Sequence, residues 1–114
     1  MRVVCTSRLI RCNDSLKFLK KPVNIKVQQK TLKTAKFDLI KCLCDCAYNI
    51  LHGNVKISKL ERKKLFKFRK VLHNLCNQNI SLTKKRKTII NQKGGFLPLL
   101  ITPALTILSQ LLLQ

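Results

Sequence analysis

Apolar residues fall into helical period over the middle of this chain and lose it at the start. Phe37, Ile40, Leu43, Cys44, Ala47, Ile50 and Leu51 recur at spacings of three and four. That spacing puts them on one face of a helix over 36–51. Gly53 follows as a natural left-handed stop. A second stripe, Leu65, Phe68, Leu72, Leu75 and Cys76, predicts a helix over 59–76. Its start is marked by Ser58 with Glu61 three residues on. The Ser oxygen can accept a free backbone N–H there, and the Glu can reach back. After a connector at 77–80, Ser81 can cap a third, shorter helix running to about Gln92, with Gly94-Gly95 ending it.

The two ends behave differently. Residues 1–35 show no clean period. Val23, Ile25 and Val27 alternate as a short strand would, but no partner strand is evident. We therefore read 1–35 as an irregular basic segment. Residues 96–113 are apolar around most of a helix, with a narrow polar stripe of Thr102, Thr106, Ser109 and Gln110. Pro98 suits a first helical turn, whereas Pro103 is expected to kink or interrupt the helix. The pattern predicts a mostly α, small helical protein. It comprises an irregular N-terminal segment (1–35), a basic helical body of two to three amphipathic helices (36–93), and a Gly-Gly junction with a separable apolar C-terminal helix (94–114).

Charge changes this picture most. Among 114 residues, 24 are Lys or Arg and four are Asp or Glu, a formal net charge of +20. The excess is uneven. Residues 59–93 carry twelve basic residues and one acid, 1–35 carry nine and one, and 94–114 carry neither sign. A chain this small has a thin core, and self-repulsion at that density opposes compaction unless a polyanion relieves it. Nucleic acid is the leading partner and an anionic membrane surface the second.

Within 59–93 the candidate phosphate contacts are Arg62, Lys63, Lys64, Lys67, Arg69, Lys70, Lys84, Lys85, Arg86 and Lys87. A solvated helix face is the plainer reading of a charged run, but such faces mix signs and this one lacks acids. Lys outnumbers Arg, and Lys acts as a point charge rather than a bidentate fork. The expected mode is therefore non-specific neutralisation of the double-stranded DNA backbone, without base readout.

The six cysteines do not suggest a disulfide framework. No secretory signal opens the chain, so a reducing compartment, cytosol or nucleus, is expected. On a helix Cys42 and Cys46 share a face while Cys44 points away, and His52 and His73 are distant in sequence. Core filling is the better reading over a metal site, and a redox role stays open. The four acids are Asp14, Asp38, Asp45 and Glu61. They form no paired-carboxylate pattern, and no nucleophile elbow or phosphate loop is present. No enzyme activity, catalytic residue, metal or cofactor is expected.

The tail admits two readings. As a helix it would span about 27 Å at about 1.5 Å per residue, near the ~30 Å of a bilayer's hydrocarbon. An interfacial or membrane-perturbing segment through 96–114 is one expectation, and with it a tail-anchored protein without a nucleic-acid role. The other is a helix that packs onto the first two and completes their core.

The run Lys93-Gly94-Gly95-Phe96-Leu97-Pro98-Leu99-Leu100-Ile101 resembles the small core-protein precursor of adenoviruses, protein X or mu. That family joins a basic body through Gly-Gly to an apolar Leu-Pro-Leu-Leu-Ile tail. The order Gly53-Asn54, a basic helix over 60–75, Ser81-Leu82 with Lys84 to Lys87, then Gly94 to Leu100 is similar to the X-like proteins of adintoviruses and related Maverick/Polinton elements. The resemblance covers roughly residues 50 to 110. It implies a virion-core protein that condenses double-stranded DNA, found in nucleus or virion. It also implies processing by an adenovirus-type cysteine protease at Gly94, Gly95 and Phe96, with the cut before Phe96. The chain departs from that family at Gln92, where adenoviral sites more often carry Met, Leu or Ile, and in being Lys-rich rather than Arg-rich.

Overall fold

The computed structural model describes residues 10–20, 25–53, 55–92 and 96–112, with side chains described from residue 26 onward in the second stretch and up to 106 in the last. Among these residues the chain forms seven helices and no strand. They are α1 (Asn13–Lys20), α2 (Ile25–Thr34), α3 (Phe37–Leu51), α4 (Lys59–Phe66), α5 (Arg69–Cys76), α6 (Leu82–Ile90) and α7 (Phe96–Leu112).

The largely helical fold agrees with the sequence pattern, but the N-terminal segment is not irregular where it is described. In α1, Leu16 and Leu19 are buried, with Cys12 one turn earlier on the same face. Asp14 sits in the first turn and Lys17 and Lys20 in the last, matching the helix dipole. Ile25 and Val27 belong to α2 rather than to a strand, and Val23 lies outside the described residues. The tie is tertiary. Leu32 is buried in the core, and Gln28 Nε2 donates to the Leu19 carbonyl at the end of α1 (3.2 Å). Gln29 Nε2 donates to the Ile90 carbonyl at the end of α6 (3.2 Å). Orphan carbonyls at helix ends need such donors, and no periodicity in 1–35 announces them.

Helix α3 is the centre, packed by α5, α6 and α7. Its buried face is broader than the predicted stripe. Leu39, Cys42 and Cys46 join Ile40, Leu43 and Ala47 inside, while Phe37 at the margin stays exposed. Gly53 closes the helix with φ of 68°, its N–H donating to the Ile50 carbonyl at 3.2 Å. A Cβ there would meet nothing within 4 Å, so the left-handed backbone, not space, calls for glycine.

The single helix expected over 59–76 is two. Lys67 N–H reaches back three residues to Lys64 O (3.3 Å) and Phe68 N–H to Leu65 O (2.9 Å), and Phe68 adopts φ −103°, ψ 16°. This tightened turn lets the two halves face different neighbours. Helix α4 packs on α7, and α5 packs on α3. Phe68 at the joint meets the Phe96 ring at 5.0 Å and 58°, a favourable tilted pair. Periodicity could not show the break, because Leu65, Phe68, Leu72 and Leu75 keep their spacing on either side of it.

Both predicted caps form. Glu61 N–H donates to Ser58 Oγ (3.1 Å), and the Ser58 hydroxyl donates to Glu61 Oε1 (3.0 Å). Lys84 N–H donates to Ser81 Oγ (3.2 Å). Helix α6 ends at Ile90, before Gln92, and Gly94-Gly95 lies outside the described residues.

The apolar tail is not separable from the body. Phe96, Leu97, Leu100, Ile101 and Ala104 are buried in the same cluster as α1, α3, α4 and α5. Pro103 does not interrupt α7. A mid-helix proline costs about 3 kcal/mol. Full burial of the Phe96 side chain and of two Leu or Ile residues, at about 1.5–3 kcal/mol each, outweighs it. Thr102 Oγ1 donates to Pro98 O (2.6 Å) and Thr106 Oγ1 to Thr102 O (3.1 Å), so these two members of the polar stripe bond back to their own helix backbone. No helix among the described residues is long and apolar enough to cross a membrane.

Candidate nucleic-acid interface

The ten basic candidates divide into three situations. Arg62, Lys63 and Lys64 on α4, Lys67 at the joint, and Arg69 and Lys70 on α5 are all exposed. Their helices bury Leu65, Leu72 and Leu75 on the other side. Amphipathicity alone produces this: once the apolar stripe is inside, every cation between its members points out. The Arg69 guanidinium lies over the Phe66 ring, 4.7 Å from its centroid. Glu61, the one acid in this stretch, is engaged by Ser58.

On α6, Lys84 and Lys87 are exposed as expected. Lys85 is not, being only 9% accessible. It lines a cleft of about 280 Å³ with Lys41, Asp45, Tyr48 and Gln78. Arg86 is committed elsewhere. Its Nη1 donates to the Lys33 carbonyl (3.3 Å) and its Nη2 to the Ala35 carbonyl, and the guanidinium sits over the Phe37 ring at 4.9 Å. Arg86 therefore closes the C-terminal end of α2 and fixes its link to α3. Neither Lys85 nor Arg86 is presented to a phosphate in this fold, which corrects the sequence expectation for both.

Sequence reading also missed exposed cations on a neighbouring helix. Helix α2 packs on α6, so the exposed Lys26, Lys30 and Lys33 lie on the element beside Lys84 and Lys87. The charge count of 1–35 hinted at them. Without a helical period, nothing placed them.

Cys12, Cys42 and Cys46 are buried thiols, and Cys44 and Cys76 are partly buried. Burial, foremost, raises the pKa of Cys12. A hydrogen bond with Cys42, then burial, pushes Cys46 well above its ordinary value. Protonated buried thiols pack as small apolar groups. Among the described residues no group of three or more His, Cys, Asp or Glu could hold a metal ion. His52 stacks on Tyr48, centroids 4.0 Å apart, and its Nδ1 lies 2.9 Å from the Tyr48 carbonyl, a helix-end role.

Of the residues at the Gly-Gly junction, Phe96 is described and is fully buried against Phe68. Gly94 and Gly95 are outside the described residues. Comparison with known protein families, with characterised proteins and with solved structures finds no match to this chain.

Proposed function

We propose that this chain is a packaging protein that binds and condenses double-stranded DNA without reading its sequence. In plan it is like the X core proteins of adenoviruses and the X-like proteins of adintovirus and Polinton elements, and it acts in the nucleus or virion. The observation that carries this reading is the α4–α5 surface. Six cations stand exposed opposite a buried stripe, with one acid in the surrounding 35 residues, and that acid tied into a cap. Such a surface favours counterion release from a polyanion over a solvated mixed-charge face. With Lys in the majority it grips phosphates rather than base edges.

The test is duplex-DNA affinity measured against salt. Neutralising about six phosphates gives a log–log slope of roughly −5, with equal affinity for unrelated sequences. No binding at low salt, or affinity indifferent to salt, overturns the proposal.

The same reading carries processing by an adenovirus-type cysteine protease between Gly95 and Phe96. Because the Phe96 side chain is inside the core, the start of α7 must lift before a protease groove can take it. Cleavage is then expected to quicken in mild urea and to vanish in Gly95→Val. Resistance of the wild type at every urea concentration the protease tolerates would remove this part.

A further inference from the structure

An open cleft of about 340 Å³ lies where the end of α3 meets α4 and α5. Its walls are apolar: Ile50, Leu51, Ile57, Leu65, Phe66 and Leu72. Arg62 and Arg69 also line it, and both are exposed. Among the described residues no carboxylate lines the cleft. The contrast with the cleft between α1 and α3 is direct, because there Arg11 is already paired with Asp38 at 3.3 Å. Arg62, Phe66 and Arg69 follow one another at spacings of four and three, and the Arg69 guanidinium is held over the Phe66 ring. One of the two cations is thus positioned in advance.

We infer that this cleft binds a single-chain anionic amphiphile, its alkyl tail against the apolar walls and its carboxylate or phosphate head on Arg62 and Arg69. The size falls at the lower end of small-ligand pockets, about 300–1,000 Å³. Guanidinium forks suit a planar or tetrahedral oxyanion better than ammonium groups do. A nucleobase fits the walls poorly: among the described residues that line the cleft, its polar edge would lose water and meet no side-chain donor or acceptor besides the two arginines. An alkyl chain loses nothing there, and burying it is favourable.

The test uses the full chain without DNA, so its outcome is separate from that of the packaging proposal. Dodecanoate, below its micellar concentration and at physiological ionic strength, is titrated by calorimetry. One saturable site is expected, with no response to acetate. Arg62→Gln and Arg69→Gln each weaken it about tenfold, the loss of a charge-assisted hydrogen bond. Ile57→Trp fills the cleft without changing charge and abolishes binding. Lys17→Gln/Lys30→Gln removes two charges elsewhere, twice what either arginine variant removes, and changes affinity less than about twofold, because distant exposed charges are screened. Circular dichroism establishes that each variant is folded. Absence of a saturable site overturns the inference, as does binding that survives Ile57→Trp in the folded variant or falls equally in the lysine pair. Phosphatidylglycerol vesicles form the last arm. Binding to them without any response to free dodecanoate assigns the affinity to the charged surface and also overturns it.

Discussion

Two stretches of similar basic content meet opposite fates in this fold. On α4 and α5 the cations are interrupted by Leu65 and Phe68, and all six stay exposed. On α6 four cations follow without a break, Lys84 to Lys87. Consecutive helical residues are about 100° apart at ~3.6 per turn, so four in a row circle the helix. Helix α6 is packed by α2, α3 and α5, and part of such a run must turn inward. Lys85 goes into a cleft, and Arg86 becomes a tie between elements. Spacing relative to the apolar stripe, more than charge density, decides which cations remain available to a polyanion.

The sharpest way to break the comparison is to remove what α4 and α5 rest on. Phe96→Ala should cost about 3–5 kcal/mol, read by urea unfolding. It should loosen α4 more than α6, seen as faster amide exchange in α4. Equal loosening of both helices would mean that the two basic stretches share one support. Next comes Arg86→Ala. Losing charged donors from two helix-end carbonyls should destabilise by about 2–3 kcal/mol, while the salt slope of DNA binding stays as in the wild type. A shallower slope would return Arg86 to the interface.

The converse variant, Lys63→Gln/Lys64→Gln/Lys67→Gln/Lys70→Gln, should leave unfolding within about 0.5 kcal/mol. It should make the salt slope shallower by roughly 3 to 4, at about 0.9 per phosphate contact. Lys85→Gln, as a single control, should not move the slope. The smallest effect belongs to the caps. Ser58→Ala and Ser81→Ala should each cost about 1 kcal/mol. Ser58→Ala is expected to be the larger, since it also frees Glu61.

Much of this was legible in the sequence, and the reasons are local. Ser58, Ser81 and Gly53 act within one turn of themselves, so their neighbours in sequence suffice to identify them. The stripes of α3 and α5 follow from spacing alone. The helices α1 and α2 were not legible, because their closing bonds come from Gln28, Gln29 and Arg86, the last two joining residues more than fifty positions apart. The break at Lys67-Phe68 was hidden because the apolar spacing runs on through it, and the ring that Phe68 meets there, Phe96, is distant in sequence.

By itself, then, the sequence determined a helical, strongly basic chain with two capped helices and an apolar last segment. Composition, period and caps are properties of neighbours along the chain. Only the tertiary structure decided that the last segment packs into the core of the body, that the N-terminal stretch is helical, and which cations face solvent. Each of those depends on which surface finds a partner. An apolar helix face is the same object whether lipid or protein covers it, until packing provides the cover.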